Sequence, residues 1–276
     1  MRSQSIEPVE VGTAAGTLAV HVLGAGLPTV LWHGVYADSS TWGYVLPALL
    51  PGRQLLVVDG PGWGRSARLR RGTGPDQVGL AARQVVEALA PGGRVDWVGS
   101  GWGGRVGLEL AARSPALVRS LVVAMADPAA MPPPARRRVR RTLRGLRVVG
   151  PVGGVGRAVV ADQLSSASRT EPQTVGALLD ALLLAGRFQA ARSVLRFDVR
   201  RPDLTGLLPR VTAPLLLVAG DEASPWPEPV AARAAALAPF ARTVRVPGAG
   251  AQVALDRPGA FARVVREFWS SLDGPL

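Results

Sequence analysis

The stretch WVGSGWGG, residues 97–104, decides how the whole chain is interpreted. The run that leads into it, RVDWVG, has the length and apolar character of a buried strand. The run that leads out of it, WGGRVGLELAARSP, has helical spacing and ends before Pro115. Small residues are needed where a strand turns sharply into a helix, because the two backbones approach closely there. The sequence therefore predicts a strand–turn–helix unit centred on Gly101.

Strands and helices alternate through most of the chain. Strand-like runs include PTVLWHG, QLLVVDG and LLLVAGDE, and helical spacing recurs in VGLAARQVVEALA and PGAFARVVREFWSSL. This alternation is typical of a mostly parallel central sheet that is covered by helices on both faces. We therefore predict an α/β fold.

The middle of the chain, residues 128–199, interrupts the alternation. It contains PPP near its start, the Gly-rich GPVGGVG, and helical pieces such as TVGALLDALLLAGRF. We interpret it as an inserted helical cap. The α/β core would then be formed by residues 1–127 and 200–276.

Composition excludes several classes of site. The chain has no Cys, so disulfides and thiolate metal sites are excluded, and we expect neither a metal nor a cofactor. No run of 18 apolar residues predicts a membrane span, and the N-terminal stretch lacks the apolar segment of a signal peptide. We expect a cytoplasmic protein.

Five stretches, in chain order, resemble parts of the α/β-hydrolase family. LWHGVYADSSTW resembles its His-Gly oxyanion loop, and DGPGWGRS resembles its Asp-x-Pro-Gly-x-Gly-x-Ser loop. VGSGWGG resembles its nucleophile elbow, and LLLVAGDEASPWP and VPGAGAQVALDRPGAF resemble the late strands that carry the acid and the base. The ordered set implies the α/β-hydrolase fold with an inserted cap.

The resemblance also implies where a catalytic triad would lie. In the elbow pattern Gly-x-nucleophile-x-Gly, the nucleophile position is Gly101. The acid position is Ala223 and the base position is Ala251. None of the three carries a functional side chain, so the chain is interpreted as an atypical member that lacks the triad.

A shifted alignment with Ser100 as the nucleophile is the alternative. It would place Val98 and Trp102 where the elbow needs small residues. In addition, the two histidines of the chain, His21 and His33, both precede the elbow, so the family order of nucleophile, acid and His cannot be completed. We therefore favour Gly101.

The oxyanion hole needs no side chains. By the resemblance, its donors are the backbone N–H groups of Trp102 and Val35, which would still point at a substrate oxygen. Polar and aromatic groups expected around the same pocket are His33, Gly34, Tyr36, Ser100, Asp127, Ser224, Trp226 and Gln252. Several have structural alternatives: His33 is expected to brace its loop, Asp127 to cap a turn, and Tyr36 and Trp226 to pack.

The basic run ARRRVRRTLRGLR, residues 135–147, contains seven Arg. Val139, Leu143 and Leu146 fall on one helical face, so the arginines would form a solvated opposite face. The alternative is a docking surface for an acidic partner, such as a carrier protein or a CoA-like group. Nucleic acid is not expected, because no recognition motif accompanies the charge.

The functional prediction follows from an oxyanion hole without a triad. We expect a non-hydrolytic isomerase or epimerase, lyase or cyclase, acting on a carbonyl-containing small molecule or peptide in bacterial secondary metabolism. The ligand would bind in the pocket under the cap. The alternatives are a non-catalytic binding or partner protein on the same scaffold, and a degenerate esterase or hydrolase.

Overall fold

The computed structural model describes residues 7–222 and 226–272. Its described part contains one eight-stranded sheet, with the strands β1 (Val9–Thr13), β2 (Gly16–Gly24), β3 (Leu27–Trp32), β4 (Arg53–Val58), β5 (Val95–Ser100), β6 (Val118–Ala124), β7 (Leu215–Gly220) and β8 (Ala241–Val246). The order across the sheet is β1-β2-β4-β3-β5-β6-β7-β8. β1 and β2 pair antiparallel, as do β2 and β4, whereas the remaining neighbours pair parallel.

The α-helices of the described residues are α1 (Leu46–Leu49), α2 (Pro75–Leu89), α3 (Trp102–Arg113), α4 (Pro133–Val149), α5 (Gly153–Gln163), α6 (Pro172–Ala185), α7 (Arg187–Val194), α8 (Glu228–Ala235), α9 (Val253–Asp256) and α10 (Pro258–Ser270). A π-helical turn, Leu195–Val199, continues α7. Short 3-10 turns lie at Ser39–Trp42, Pro115–Leu117, Ser168–Thr170 and Thr205–Arg210. The predicted α/β-hydrolase fold is confirmed: the sheet is mostly parallel and helices pack against it.

Two groups of buried apolar side chains surround the sheet. One contains Trp32, Trp97 and the apolar side of α2 and α3, and the other contains Trp42 and the apolar side of α10. Strands buried on both faces read as continuous apolar runs, which is why β4, β5 and β7 were recognisable in the sequence.

The helices α4 to α7 lie between β6 and β7 in the chain, within the segment 128–199. Arg105 of α3 fixes both ends of this segment, since its guanidinium donates to the carbonyl oxygens of Asp127, Ala129 and Pro202. Trp63 Nε1 also donates to Ser193 Oγ over 2.6 Å, which ties α7 to the loop after β4. These contacts hold the inserted helices against the carboxyl ends of the strands.

Within the described residues, no single helix is long and apolar enough to cross a membrane. Only the helical segments Pro172–Ala185 and Arg187–Val199 reach that length and apolar character together, and they meet at an angle of 100°.

Candidate functional site

The turn between β5 and α3 has the geometry that the sequence predicts. Gly101 precedes the first helical residue with φ 50° and ψ −115°, a conformation that favours glycine. A Cβ atom on Gly99 would lie 2.3 Å from the Gly103 carbonyl carbon, and one on Gly103 would lie 2.1 Å from the Trp32 carbonyl oxygen. The residues two before and two after Gly101 must therefore be glycine, which fixes Gly101 at the apex.

Ser100 is placed differently from the expectation. It is the last residue of β5, its side chain is buried, and its Oγ has no hydrogen-bond partner among the described residues. It does not line the cavity over the elbow. Side chains of a buried strand alternate between the two faces of the sheet, so Ser100 points into protein while the turn at Gly101 opens to the cavity.

A cavity of about 170 Å³ lies over Gly101, between the ends of the strands and the helices α4 and α5. Among the residues predicted for the site, its lining contains Gly34, Val35, Gly101, Trp102, Asp127, Ala251 and Gln252. It also contains Arg138, which belongs to the basic run 135–147. The sequence did not single out its other charged and polar residues, namely Arg105, Asp162, Gln163, Asp198 and Arg201.

Two backbone amides in the lining are available to a ligand. The N–H groups of Val35 and Trp102 donate no hydrogen bond to another residue within 7–222 and 226–272. Trp102 is the first residue of α3, where the first N–H groups have no partner inside the helix. Gln252 Nε2 donates to the Val35 carbonyl oxygen over 3.0 Å, which holds the loop that carries the Val35 amide. These two amides form a candidate oxyanion hole.

Gln252 also joins the site to the inserted helices. Its Nε2 donates to Gln163 Oε1 over 2.8 Å, and its backbone N–H donates to the Gln163 carbonyl oxygen over 3.1 Å. Gln163 is the last residue of α5. One amide side chain therefore positions the Val35 loop and the end of α5 together, beside Ala251 in the lining.

Three carboxylates reach the cavity. Asp198 pairs with Arg201 at 2.8 Å, Asp127 lies 3.9 Å from the same guanidinium, and Asp162 pairs with Arg138 at 3.1 Å. The Asp127 carboxylate also accepts a hydrogen bond from the Ala129 backbone N–H over 2.8 Å. Asp127 therefore caps this turn, which was the structural alternative to a role in the pocket.

Asp198 has the most unusual environment of these carboxylates. Burial raises the pKa of Asp198 above its ordinary value of 3.8, and the charge of Arg201 offsets only part of that rise. Its side chain still keeps 22% of its surface exposed, which faces the cavity that it lines. Burial also disfavours the charged form of Arg105 and lowers its pKa to about 10. A carboxylate with a raised pKa is better able to accept a proton near neutral pH.

His33 and Trp226 do not line the cavity, which corrects the expected pocket. His33 is buried; its Nδ1 lies 2.6 Å from the Gly34 carbonyl oxygen and its Nε2 accepts from the Gly60 backbone N–H over 2.8 Å. This arrangement requires a neutral ring with the proton on Nδ1, and burial lowers the pKa of His33 accordingly. Trp226 is buried in the core.

Tyr36 is also buried outside the lining, at a positive φ of 67°. Burial, followed by the charges of Asp198 and Asp162, raises the pKa of Tyr36 well above 10.0. Ala223 and Ser224, the predicted acid position and its neighbour, lie outside the described residues.

The charged lining had little signal in the sequence. Asp198 and Arg201 follow α7 without a motif, and Arg105 looks like an ordinary helix residue four positions after the elbow. No group of three or more His, Asp or Glu residues in the described part of the chain is placed to hold a metal ion.

Residues 29–264 match the family described as the alpha/beta hydrolase family. A pimeloyl-acyl-carrier protein methyl ester esterase of Edwardsiella ictaluri is 28% identical over 265 residues, which cover 90% of this chain and 95% of that protein. A protein of the same name from Sodalis glossinidius is 36% identical over 99 residues, and the match spans only 36% of its length.

The fold also resembles that of a thermophilic esterase from Thermogutta terrifontis, with a TM-score of 0.84, 24% identity, and coverage of 96% of this chain and 98% of that chain. This likeness concerns the fold alone. The predicted non-hydrolytic isomerase, lyase or cyclase is wrong on this comparison, because the sequence relatives are named as ester hydrolases. The prediction rested on the absence of a side chain at Gly101, whereas the relatives that the sequence matches are named for ester hydrolysis.

Proposed function

Because the chain belongs to the alpha/beta hydrolase family, we propose that it is an esterase-type hydrolase in which water, and no side chain at the elbow, attacks the substrate carbonyl carbon. This corresponds to the degenerate hydrolase among the alternatives considered from the sequence. The observation that carries it is the pair of unpaired amides, Val35 and Trp102, beside a Gly101 that retains the elbow conformation.

The proposal includes the absence of a working triad. Gly101 has no side chain, and Ala251 lines the cavity at the base position. Both nitrogens of His33 are engaged with the backbone, and His21 lies in β2, where its Nε2 is 3.9 Å from Asp59. These observations favour a hydrolase that forms no acyl-enzyme.

The reaction requires four events. The substrate carbonyl oxygen accepts hydrogen bonds from the amides of Val35 and Trp102, which stabilise the negative charge that develops on it. A water oxygen attacks the carbonyl carbon while its proton passes to the Asp198 carboxylate. The tetrahedral intermediate then collapses, the bond to the alcohol oxygen breaks, and that oxygen takes up the proton from Asp198.

Asp198 is proposed as the base because its pKa is raised and it lines the same cavity as both amides. Arg201, at 2.8 Å, holds one carboxylate oxygen and limits its rotation. Asp162 is engaged by Arg138 and by Gln163 Nε2 at 3.0 Å. Asp127 is engaged by a backbone amide, so both are less available as bases.

The expected rate is low. An oxyanion hole with binding alone retains roughly 10³–10⁴-fold acceleration over water when a triad is disabled, and a positioned base adds roughly 10²–10⁴-fold. The cavity of about 170 Å³ is smaller than the ~300–1,000 Å³ of sites for drug-sized ligands. Esters with short acyl chains are therefore the proposed substrates.

The test compares Asp198→Asn with Asp198→Glu and with Asp180→Asn, an exposed residue of α6. Nitrophenyl and methyl esters with short acyl chains are the substrates. We expect kcat to fall about 100-fold in Asp198→Asn, to fall less in Asp198→Glu, and to stay at the parent value in Asp180→Asn. Equal kcat in the parent and in a folded Asp198→Asn would contradict the role of Asp198, and no turnover by the parent would contradict the proposed function.

A further inference from the structure

Two parts of the inserted helices meet at one end of the molecule. The chain bends by 100° between α6 and α7, at Gly186, whose φ is 77°. Arg187, directly after the bend, donates from Nη1 to the Val148 carbonyl oxygen over 2.8 Å. The bend therefore lies against the C-terminal turn of α4, which ends at Val149.

Large apolar side chains protrude around this meeting point. Val148 is 72% exposed, Leu184 64% and Phe188 62%. We call the exposed set the apolar tip, which consists of Val148, Val149, Val152, Leu183, Leu184 and Phe188. Clustered apolar residues of this size are unusual on a solvated surface and mark a site of interaction.

A groove with four guanidinium groups adjoins the apolar tip. We call it the arginine groove; it has a volume of about 190 Å³ and is lined by Arg140, Arg144, Arg147, Arg200, Leu143 and Leu195. In the described part of the chain, none of its four arginines lies in an ion pair with a carboxylate. Guanidinium groups arranged in this way suit phosphate oxygens, which accept paired hydrogen bonds from them.

Charge decides which occupant fits. A second copy of the chain, placed with two-fold symmetry, would bring two arginine grooves together and would be repelled. The occupant must therefore be anionic, in agreement with the acidic partner that the Arg-rich run suggested. A protein partner would need cavities shaped for the protruding side chains, whereas a bilayer accepts such side chains at its headgroup boundary without a preformed shape.

We propose that the apolar tip and the arginine groove bind the surface of an anionic phospholipid bilayer. The apolar tip enters the boundary between headgroups and acyl chains, and the arginine groove binds the lipid phosphates. The molecule lies on the membrane and does not cross it. This inference is independent of the proposed hydrolysis, since the apolar tip and the arginine groove contain none of the residues of the candidate oxyanion hole.

The test is co-sedimentation of the full chain with vesicles. Vesicles of phosphatidylglycerol and phosphatidylcholine are compared with vesicles of phosphatidylcholine alone. We expect binding to the first and not to the second. Arg144→Gln/Arg147→Gln should weaken binding at least about tenfold, because each basic residue near an anionic surface contributes to the attraction. Leu184→Ser/Phe188→Ser should weaken it comparably without a change in net charge.

Arg263→Gln/Arg266→Gln is the matched control. Both residues are exposed on α10, and the double substitution removes the same charge outside the groove. Equal weakening by this control would show that total charge, and not the groove, drives binding. If Leu184→Ser/Phe188→Ser binds the vesicles as tightly as the parent, and inorganic phosphate competes with the vesicles, the groove is a site for soluble phosphate and the proposal is overturned. If the parent does not bind phosphatidylglycerol vesicles, the proposal is also overturned, and an acidic protein becomes the favoured partner of this surface.

Discussion

The Cα atom of Gly34 lies 3.5 Å from the point at which a Cβ atom on Gly101 would stand. This separation is ordinary van der Waals contact, so a small side chain fits at the elbow while a long one must enter the cavity. The two glycines belong to the two loops that carry the amides of Val35 and Trp102. The two segments therefore approach each other closely where both line the cavity.

Gly101→Ser should fold, at a cost of about 1 kcal/mol or more for a non-glycine residue at φ 50°. We expect no increase in kcat for ester hydrolysis, because neither His is available to activate the new hydroxyl. Steady-state kinetics on nitrophenyl esters measures this. An increase of about one order of magnitude or more would show that a base is present at the elbow.

Gly101→Leu should fill the space over the elbow. The free energy of unfolding should fall by about 1–3 kcal/mol from backbone strain, and KM for short esters should rise because the leucine side chain occupies the cavity of about 170 Å³. Urea unfolding and steady-state kinetics give the two quantities. If KM and kcat equal those of the parent, the substrate does not lie over Gly101.

The pH dependence of hydrolysis should follow Asp198. The base acts in its deprotonated form, so the rate should rise with pH through the pKa of Asp198, which lies above its ordinary value of 3.8. The stability of the fold changes with pH in the opposite direction. Because the pKa of Asp198 is raised in the folded state, protonated Asp198 stabilises the fold at low pH, and this stabilisation is lost as the pH rises through that pKa. Asp198→Asn should remove the rise in rate. A parent profile that is flat from acid to neutral pH contradicts this assignment.

Gln252→Ala should loosen the link between the oxyanion loop and α5. The carbonyl oxygen of Val35 and the Oε1 of Gln163 both lose their donor, and an unsatisfied buried polar group costs about 1–3 kcal/mol. Urea unfolding should show that loss, and kcat should fall because the Val35 amide is less well positioned. Gln173→Ala, at an exposed position on α6, serves as the control and should match the parent in both measurements.

The sequence predicted the fold because local patterns determine it. The alternating glycines around Gly101 and the apolar runs of β4, β5 and β7 reflect close backbone approach and burial on both faces, which depend on near neighbours in the chain. The positions of Val35, Trp102 and Gln252 were implied by the resemblance to the α/β-hydrolase family, and all three line one cavity. The roles of these residues remain predictions.

The charged lining depended on contacts between distant segments and could not be predicted. Arg105 donates to carbonyl groups at both ends of the inserted helices, and Arg138 of α4 pairs with Asp162 of α5. Asp198 and Arg201 are three residues apart, but only the folding of their segment against the strand ends places both at the cavity. The sequence predicted that His33 braces its loop, but it could not predict that the second ring nitrogen would accept from Gly60, which belongs to the loop after β4. Such pairings arise in tertiary packing and have no local pattern.

The most direct test of water as the nucleophile is intact-protein mass spectrometry during turnover. The parent protein is mixed with a short-chain nitrophenyl ester, quenched in acid at intervals, and weighed while release of nitrophenol is followed in parallel. We expect steady release without an initial burst and a protein mass that stays that of the free chain. A burst together with a protein mass increased by one acyl group, located at Ser100 and lost in Ser100→Ala, would contradict the account.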